Sequence, residues 1–167
     1  PILEGRTDLT NLDFITIDGE DAKDFDDAVY CSKEKDRYKL YVAIVDVSFY
    51  VDEDSYVDKI ALANSFSIYL DQSIPMLPNE LSDDLCSLKP NVNRMAVVCE
   101  IVINQTGIVK SYKFYESIIK SKKRFTYDQV NRIIKNNFES ESDFKFLLKT
   151  LHELSLKLNA ERVNNGA

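Results

Sequence analysis

The first two-thirds of the chain alternate between short apolar runs and polar turns, a pattern typical of β-strands. One of these runs is apolar on both faces over its second half, which favours a central strand of a sheet. The last two runs flank a Gln105–Gly107 turn and are predicted to form a long hairpin. The predicted strands are Leu12–Ile17, Ala28–Cys31, Tyr38–Val47, Arg94–Asn104 and Ile108–Ile119.

Helical spacing of apolar residues occurs in the remaining segments. Ser55 is predicted to cap a helix that runs to about Phe66, and Asn79–Leu88 is predicted to form a short helix that ends before Pro90. The proline-bound segment between these two helices, residues 74–78, is predicted to be an extended connector.

The last third of the chain has the pattern of two helices. Thr126 and Gln129 have the spacing of a capping box, which predicts a helix that begins there. A second helix is predicted from about Ser142, and its apolar residues form one stripe that indicates a face turned to the core more simply than a groove for a partner. The stripe consists of Phe144, Leu147, Leu148, Leu151, Leu154 and Leu158.

The composition is that of an ordinary globular protein. The chain has 167 residues, 44% of them hydrophobic, with only four Gly and four Pro, which argues against a disordered or linker-like chain. No apolar run approaches the roughly 18–20 residues that a membrane span needs, so no membrane partner is predicted. The three Cys form no C-x-x-C pair, which favours a reducing, cytoplasmic setting, and no pattern indicates an oligomeric state.

The charge is distributed unevenly along the chain. The net charge of −7 alone discourages a nucleic-acid partner, because proteins that bind phosphate are usually basic. Residues 1–104, however, hold 21 acidic and nine basic side chains, whereas residues 105–167 hold seven acidic and twelve basic ones. Asp18–Asp27, named here the acidic loop, contains six acids and one lysine.

The acidic loop has two possible interpretations. Most charge runs are solvated turns, and two carboxylates about 4 Å apart repel by about 4 kcal/mol near a protein surface. Three features instead indicate a fixed backbone with convergent carboxylates. Predicted strands lie on both sides of the loop, Phe25 lies within the cluster, and the acids are mostly Asp, whose side chains are short. Such a donor set suits Mg²⁺ or Mn²⁺, whereas the EF-hand pattern and the His or Cys ligands of zinc sites are missing from the loop.

Longer stretches of the sequence resemble a known family. Two consecutive stretches are similar to the catalytic RNB domain of the ribonuclease II and ribonuclease R exoribonucleases. They are RTDLTNLDFITIDGEDAKDFDDAVYC and, after it, YVAIVDVSFYV. Further matching segments follow in the same order as in the family: SIYL, IPMLPNELSDDLCSL, VNRMAVVCEI, GIVKSYKFYESII and RFTYDQV. The resemblance is to the ribonuclease R branch and extends over nearly the whole chain.

The resemblance implies an α/β (α+β) fold with a mixed, largely antiparallel sheet and flanking helices. It implies processive, Mg²⁺-dependent hydrolysis of single-stranded RNA from the 3′ end to nucleoside 5′-monophosphates. The family's four catalytic and metal-binding aspartates fall on Asp18, Asp24, Asp26 and Asp27. Asp18 and Asp27 are expected to bind one ion, and Asp24 and Asp26 to complete the site or hold a second ion.

Two residues have further roles in the family pattern. Loss of Asp26 is expected to remove catalysis while sparing RNA binding. Tyr69, within SIYL, matches a tyrosine that stacks on a base near the 3′ end of the RNA. Glu20 and Asp21 are expected to contribute only background charge.

The resemblance also sets the expected extent of the domain. Residues 1–167 are expected to be the N-terminal part of the catalytic domain, without its remainder and without the OB-fold modules, and to have little activity alone. The alternative is a non-catalytic module that binds a divalent metal or RNA, although a degenerate family member is expected to lose one of the four aspartates.

Several other charged residues are closer to structural roles. Asp46 lies in an apolar run and is expected to be a hydrogen-bonded structural acid, and Arg94 is expected to be structural too. A basic cluster before the capping box is predicted either to meet RNA backbone or to be a solvated turn. The cluster consists of Lys120, Lys122, Lys123 and Arg124.

Overall fold

A seven-stranded mixed sheet is the centre of the structure, a computed structural model that describes residues 5–69, 73–137 and 143–166. Two further short strands pair with each other in a separate small sheet. The strands are β1 (Thr7–Asp8), β2 (Ile15–Asp18), β3 (Asp27–Glu34), β4 (Arg37–Val45), β5 (Ile68–Tyr69), β6 (Ser73–Ile74), β7 (Asn93–Asn104), β8 (Val109–Lys120) and β9 (Lys123–Thr126).

The large sheet has the order β1-β8-β7-β4-β3-β2-β9. Its inner pairs are antiparallel, and the two edge pairs, β1 with β8 and β2 with β9, are parallel. The predicted class, a mixed and largely antiparallel sheet with flanking helices, is therefore confirmed. The predicted hairpin is confirmed as β7 and β8.

The described residues form three α-helices: α1 (Tyr56–Asn64), α2 (Tyr127–Lys135) and α3 (Lys145–Asn164). The two predicted caps are present. The Ser55 side chain accepts a hydrogen bond from the Asp58 amide, and Thr126 and Gln129 form a reciprocal capping box. Such caps satisfy amides that have no partner within the helix.

The two faces of the large sheet contribute to two separate cores. On one face Ala28 and Ala43 pack with Phe14 and Phe25 beneath the segment around Leu88. On the other face Cys31, Tyr38 and Ile103 pack against the leucines of α3, which confirms that the apolar stripe of this helix faces the core. The most deeply buried α3 residues are Leu147, Leu148 and Leu154.

Three predicted strand boundaries are wrong by two residues or more. β2 begins at Ile15 and not at Leu12, because the preceding backbone turns on itself: the amide of Leu12 donates to the Leu9 carbonyl at 3.1 Å. β3 continues past Cys31 to Glu34, which leaves a turn of two residues before β4, and β4 ends at Val45 and not at Val47.

Three other predicted elements change as well. The predicted helix 79–88 contains a single π-helical turn, Leu81–Leu85. The basic cluster is not a solvated turn throughout, because Lys123 and Arg124 belong to β9, which pairs with β2. The last helix begins at Lys145, and Ser142 lies outside the described residues. In the part of the chain that the structure describes, no helix is long and apolar enough to cross a membrane.

Gly107 connects the β7–β8 hairpin to α3. Its φ of +94° lies in the left-handed region, and a Cβ placed there would be 2.8 Å from the Lys157 carbonyl oxygen. A side chain at this position therefore meets two costs, an unfavourable backbone conformation and a collision with the backbone of α3.

Gly107→Ala is expected to lower the free energy of unfolding by about 2–4 kcal/mol, from backbone strain together with overpacking. Gly5→Ala is the matched control, because Gly5 has a similar φ of +92° but no atom within 4 Å of a Cβ. That change is expected to cost about 1 kcal/mol. Urea unfolding of both variants measures the difference, and equal losses would contradict a tight contact between the hairpin and α3.

Candidate active site

The acidic loop connects β2 to β3 at one end of the large sheet. Asp18 is the last residue of β2 and Asp27 is the first residue of β3. Asp24 and Asp26 lie between them in the irregular part of the loop. The first and last of the four predicted site residues are thus fixed by strands, and the other two depend on how the loop is held.

Phe25 anchors the loop from below. Its side chain is 8% exposed and belongs to the core beneath the sheet. Its amide donates to the Ser87 hydroxyl at 3.0 Å, and that hydroxyl donates to the Lys23 carbonyl at 2.7 Å. The Leu88 amide donates to the Phe25 carbonyl at 2.8 Å. The predicted fixed backbone is therefore present, with a buried aromatic between Asp24 and Asp26.

The segment beneath the loop is itself held by Arg94. The Arg94 Nε donates to the Ser87 carbonyl at 3.0 Å, and its Nη2 donates to the Asp84 carboxylate at 3.0 Å. These contacts confirm the structural role expected for Arg94. A further backbone bond, from the Val45 amide to the Asp26 carbonyl at 2.9 Å, ties the loop to β4.

Arg124 holds the loop from the other side and is not among the predicted site residues. Its Nη2 donates to the carbonyls of Gly19 and Glu20, and its guanidinium lies 5.5 Å from the centre of the Phe25 ring. Lys122, from the same basic cluster, donates to the Thr10 carbonyl at 2.6 Å. The one local signal for β9 is the apolar Phe125 directly before a capping box, and it does not reveal the contact between Arg124 and the loop.

The four aspartates influence one another electrostatically. The pKa of Asp18 is raised to about 6, first by burial and then by the charge of Asp27. The charge of Arg124 acts to lower this pKa, and the charges of Asp24 and Asp26 act to raise it further. The pKa of Asp26 is also raised, first by loss of hydration and then by Asp24 and Asp27. The neighbouring aspartates thus add to the effect of burial in disfavouring the ionisation of Asp18 and Asp26.

The donor set fits a hard divalent cation. All four side chains carry carboxylate oxygens, and Asp18 Oδ2 is buried with no hydrogen-bond partner among the described residues. Among the residues that the structure describes, however, no three carboxylate, imidazole or thiol groups form a finished metal cluster. A cation bound there would complete the cluster, and its charge would offset the negative charges that help to raise the pKa of Asp18 and of Asp26.

Asp46 has the structural role that the sequence predicts. It is 5% exposed, and its carboxylate accepts from the Arg6 guanidinium at 2.6 Å and from the Ser48 hydroxyl at 2.6 Å. Burial acts to raise the pKa of Asp46, but the hydrogen bonds from Ser48 and Arg6 outweigh it and hold the pKa below its usual value. Asp46 is committed to this pair and is not available as a metal ligand.

Tyr69 lies in β5, where its backbone pairs with Ser73 of β6. Its side chain lies outside the part of the chain that the structure describes. Base stacking by Tyr69 therefore stays a prediction from the sequence.

The chain is similar to proteins of one family. The sequence profile of the RNB domain matches residues 6–167. Ribonuclease R of Vibrio parahaemolyticus is 48% identical over 152 residues, which is 90% of this chain and 18% of that protein. The chain thus spans about a fifth of the length of this relative.

Solved structures have the same fold. Ribonuclease R of Mycoplasma genitalium, solved with double-stranded RNA and with ribose-methylated single-stranded RNA, superposes with a TM-score of 0.94 at 42% identity in both cases. The match covers 98% of this chain and 30% and 26% of those chains. Yeast Ssd1, described as a pseudonuclease, shares the fold with a TM-score of 0.83 at 21% identity, covering 97% of this chain and 20% of its own.

The raised pKa of Asp18 predicts how stability changes with pH. The folded chain holds the Asp18 proton more tightly than the unfolded chain, whose ordinary pKa is 3.8, so stability falls as the pH rises from about 4 through 6. In EDTA, Asp18→Asn is expected to raise the unfolding temperature at pH 8 and to change it little at pH 4.5. Thermal unfolding at both pH values checks this, and a lower unfolding temperature for the variant at pH 8 would contradict it.

Proposed function

The chain belongs to the RNB domain family, and on that premise we propose that it is the N-terminal part of an exoribonuclease catalytic domain. The proposed reaction is processive, Mg²⁺-dependent hydrolysis of single-stranded RNA from its 3′ end, which releases nucleoside 5′-monophosphates. Mn²⁺ is the proposed substitute for Mg²⁺. We propose a cytoplasmic location, which agrees with the three free cysteines.

One observation carries this proposal. Asp18, Asp24, Asp26 and Asp27 share a loop whose backbone is fixed on both sides, and one buried oxygen of Asp18 lacks a hydrogen-bond partner. A solvated acidic turn would gain nothing from a buried phenylalanine at its centre or from an arginine that holds its carbonyls. Four aspartates on a backbone that is held in place favour a cation site.

In the proposed site each group has a distinct task. Asp18 and Asp27 would hold an ion from the ends of two strands, and Asp24 and Asp26 would complete its ligands or hold a second ion. When bound, Mg²⁺ lowers the pKa of a water molecule and offsets charge on the scissile phosphate. Tyr69 would stack on a base without reading its identity, which suits an enzyme that degrades RNA of any sequence.

The fold alone does not establish catalysis, because Ssd1, a pseudonuclease by its description, has it too. The alternative function is therefore a module that binds a divalent ion or RNA without cleaving it. The four aspartates in one fixed loop favour the enzyme. RNA in the complexes of the Mycoplasma genitalium protein, which is 42% identical, supports RNA as the substrate class.

Asp26→Asn in the full-length protein is expected to reduce hydrolysis by more than about 100-fold, beyond the loss typical of residues that only orient ligands. RNA affinity is expected to be retained, since one carboxylate is replaced by an amide of the same shape. The assay follows mononucleotide release from uniformly labelled single-stranded RNA with Mg²⁺.

Asp21→Asn is the matched control, because Asp21 is an exposed acid of the same loop and carries the same charge. It is expected to leave the rate within about twofold of the wild type, as surface changes outside special sites usually do. Full activity of Asp26→Asn, or a wild-type protein that binds Mg²⁺ and RNA without releasing mononucleotides from the 3′ end, would contradict the proposed function.

A further inference from the structure

Arg124 contacts the acidic loop at two separate points. Its Nη2 donates to the carbonyls of Gly19 and Glu20, the residues directly after Asp18, and the Glu20 contact is 2.7 Å long. The face of the same guanidinium lies over the Phe25 ring, with 5.5 Å between Cζ and the ring centre. A single planar group thus links the backbone next to Asp18 with the aromatic anchor near the other end of the loop.

The position of Arg124 is determined by its strand. In the parallel pair of β2 and β9, Thr16 is opposite Arg124 and Asp18 is opposite Thr126. Phe125 is 5% exposed, and Thr126 caps α2, so both residues that follow Arg124 are committed to packing. The arginine therefore enters the loop from a rigid element that also lies beside Asp18.

Arg124 is half-buried. Its Nε is buried, its Nη2 is bonded to the loop, and the face of its guanidinium lies over the Phe25 ring. Lys123, the preceding residue of β9, is exposed instead. An arginine that serves mainly to bind phosphate leaves its donors free for that ligand, whereas Nη2 of Arg124 is used by two loop carbonyls.

We infer that Arg124 is a positioning residue of the metal site, which holds the two ends of the acidic loop at the spacing that lets its four aspartates bind a divalent ion. The inference rests on the proposed function, because it assumes that these aspartates are ligands. The planar fork of arginine is suited to this task, since it reaches two carbonyls while stacking on a ring, and the point charge of lysine cannot do both. Residues that orient metal ligands typically change metal affinity by about 10–100-fold when they are replaced.

The role predicted from the basic cluster, contact with RNA backbone, has different consequences. A phosphate contact contributes to RNA affinity and to its salt dependence, and its loss leaves metal binding unchanged. A positioning residue contributes to metal affinity, which can be measured without any RNA. The two roles are therefore separable by experiment.

The test uses the full-length protein as wild type, Arg124→Ala, Arg124→Lys and, as the matched control, Lys123→Ala. Calorimetric titration with Mn²⁺ in the absence of RNA measures metal affinity. Arg124→Ala and Arg124→Lys are both expected to bind Mn²⁺ about tenfold or more weakly, and Lys123→Ala as tightly as the wild type. RNA affinity in EDTA is expected to stay within about twofold in both Arg124 variants, because no phosphate contact is lost.

Unchanged Mn²⁺ affinity in Arg124→Ala, together with weaker RNA binding and a smaller salt dependence, would overturn the inference. If Arg124→Ala does not fold, as judged by circular dichroism, Arg124→Lys carries the same comparison. Different results would contradict the proposed function: a wild-type protein that binds no Mn²⁺, or an Asp26→Asn variant that is still active. A wild-type protein that binds Mn²⁺ and hydrolyses RNA while Arg124→Ala keeps full Mn²⁺ affinity contradicts only the role of Arg124.

Discussion

Repulsion among the carboxylates of the acidic loop is the constraint on which the rest of the site depends. Each close pair of such charges costs about 4 kcal/mol at the effective dielectric near a protein surface. A free loop would relieve this cost by turning its side chains into water. Here burial, and after it the charge of neighbouring aspartates, raises the pKa of Asp18 and of Asp26, so the fold holds both carboxylates where ionisation is disfavoured.

The surrounding fold opposes that repulsion from several directions. β2 and β3 fix Asp18 and Asp27, and the buried Phe25 ring anchors the middle of the loop. Ser87 and Arg124 bind backbone groups of the loop, and neither of these contacts uses an aspartate carboxylate. Backbone contacts from distant parts of the sequence thus hold the acidic loop in place despite the like charges of its aspartates.

The sequence predicted the elements with strong local signals. The β7–β8 hairpin has long apolar runs around a glycine turn, and α2 begins at a capping box, so both follow from nearby residues. β9 was missed because it is a short strand stabilised by pairing with β2, more than 100 residues away. The two-residue turn between β3 and β4 was placed too broadly because its polar flanks are paired edges of strands.

Some residues of the candidate site are predictable from the local sequence, and others are not. The four aspartates and the anchor Phe25 lie together in the sequence, and their pattern alone pointed to a fixed acidic loop. Ser87 and Arg124 are about 60 and 100 residues away from the loop, and each contacts it only because the sheet brings the chain back. Their contribution could be recognised only from the fold.

The central claim is that the protein fixes the acidic loop before any ion arrives. Hydrogen exchange of backbone amides in EDTA tests it most directly, because the Phe25 amide is bonded to Ser87 and the Leu88 amide to the Phe25 carbonyl. Both amides are predicted to be protected without metal, and to change little when Mg²⁺ is added. Exchange at unprotected rates in EDTA, with protection only after Mg²⁺, would contradict the claim and show that the ion orders the loop.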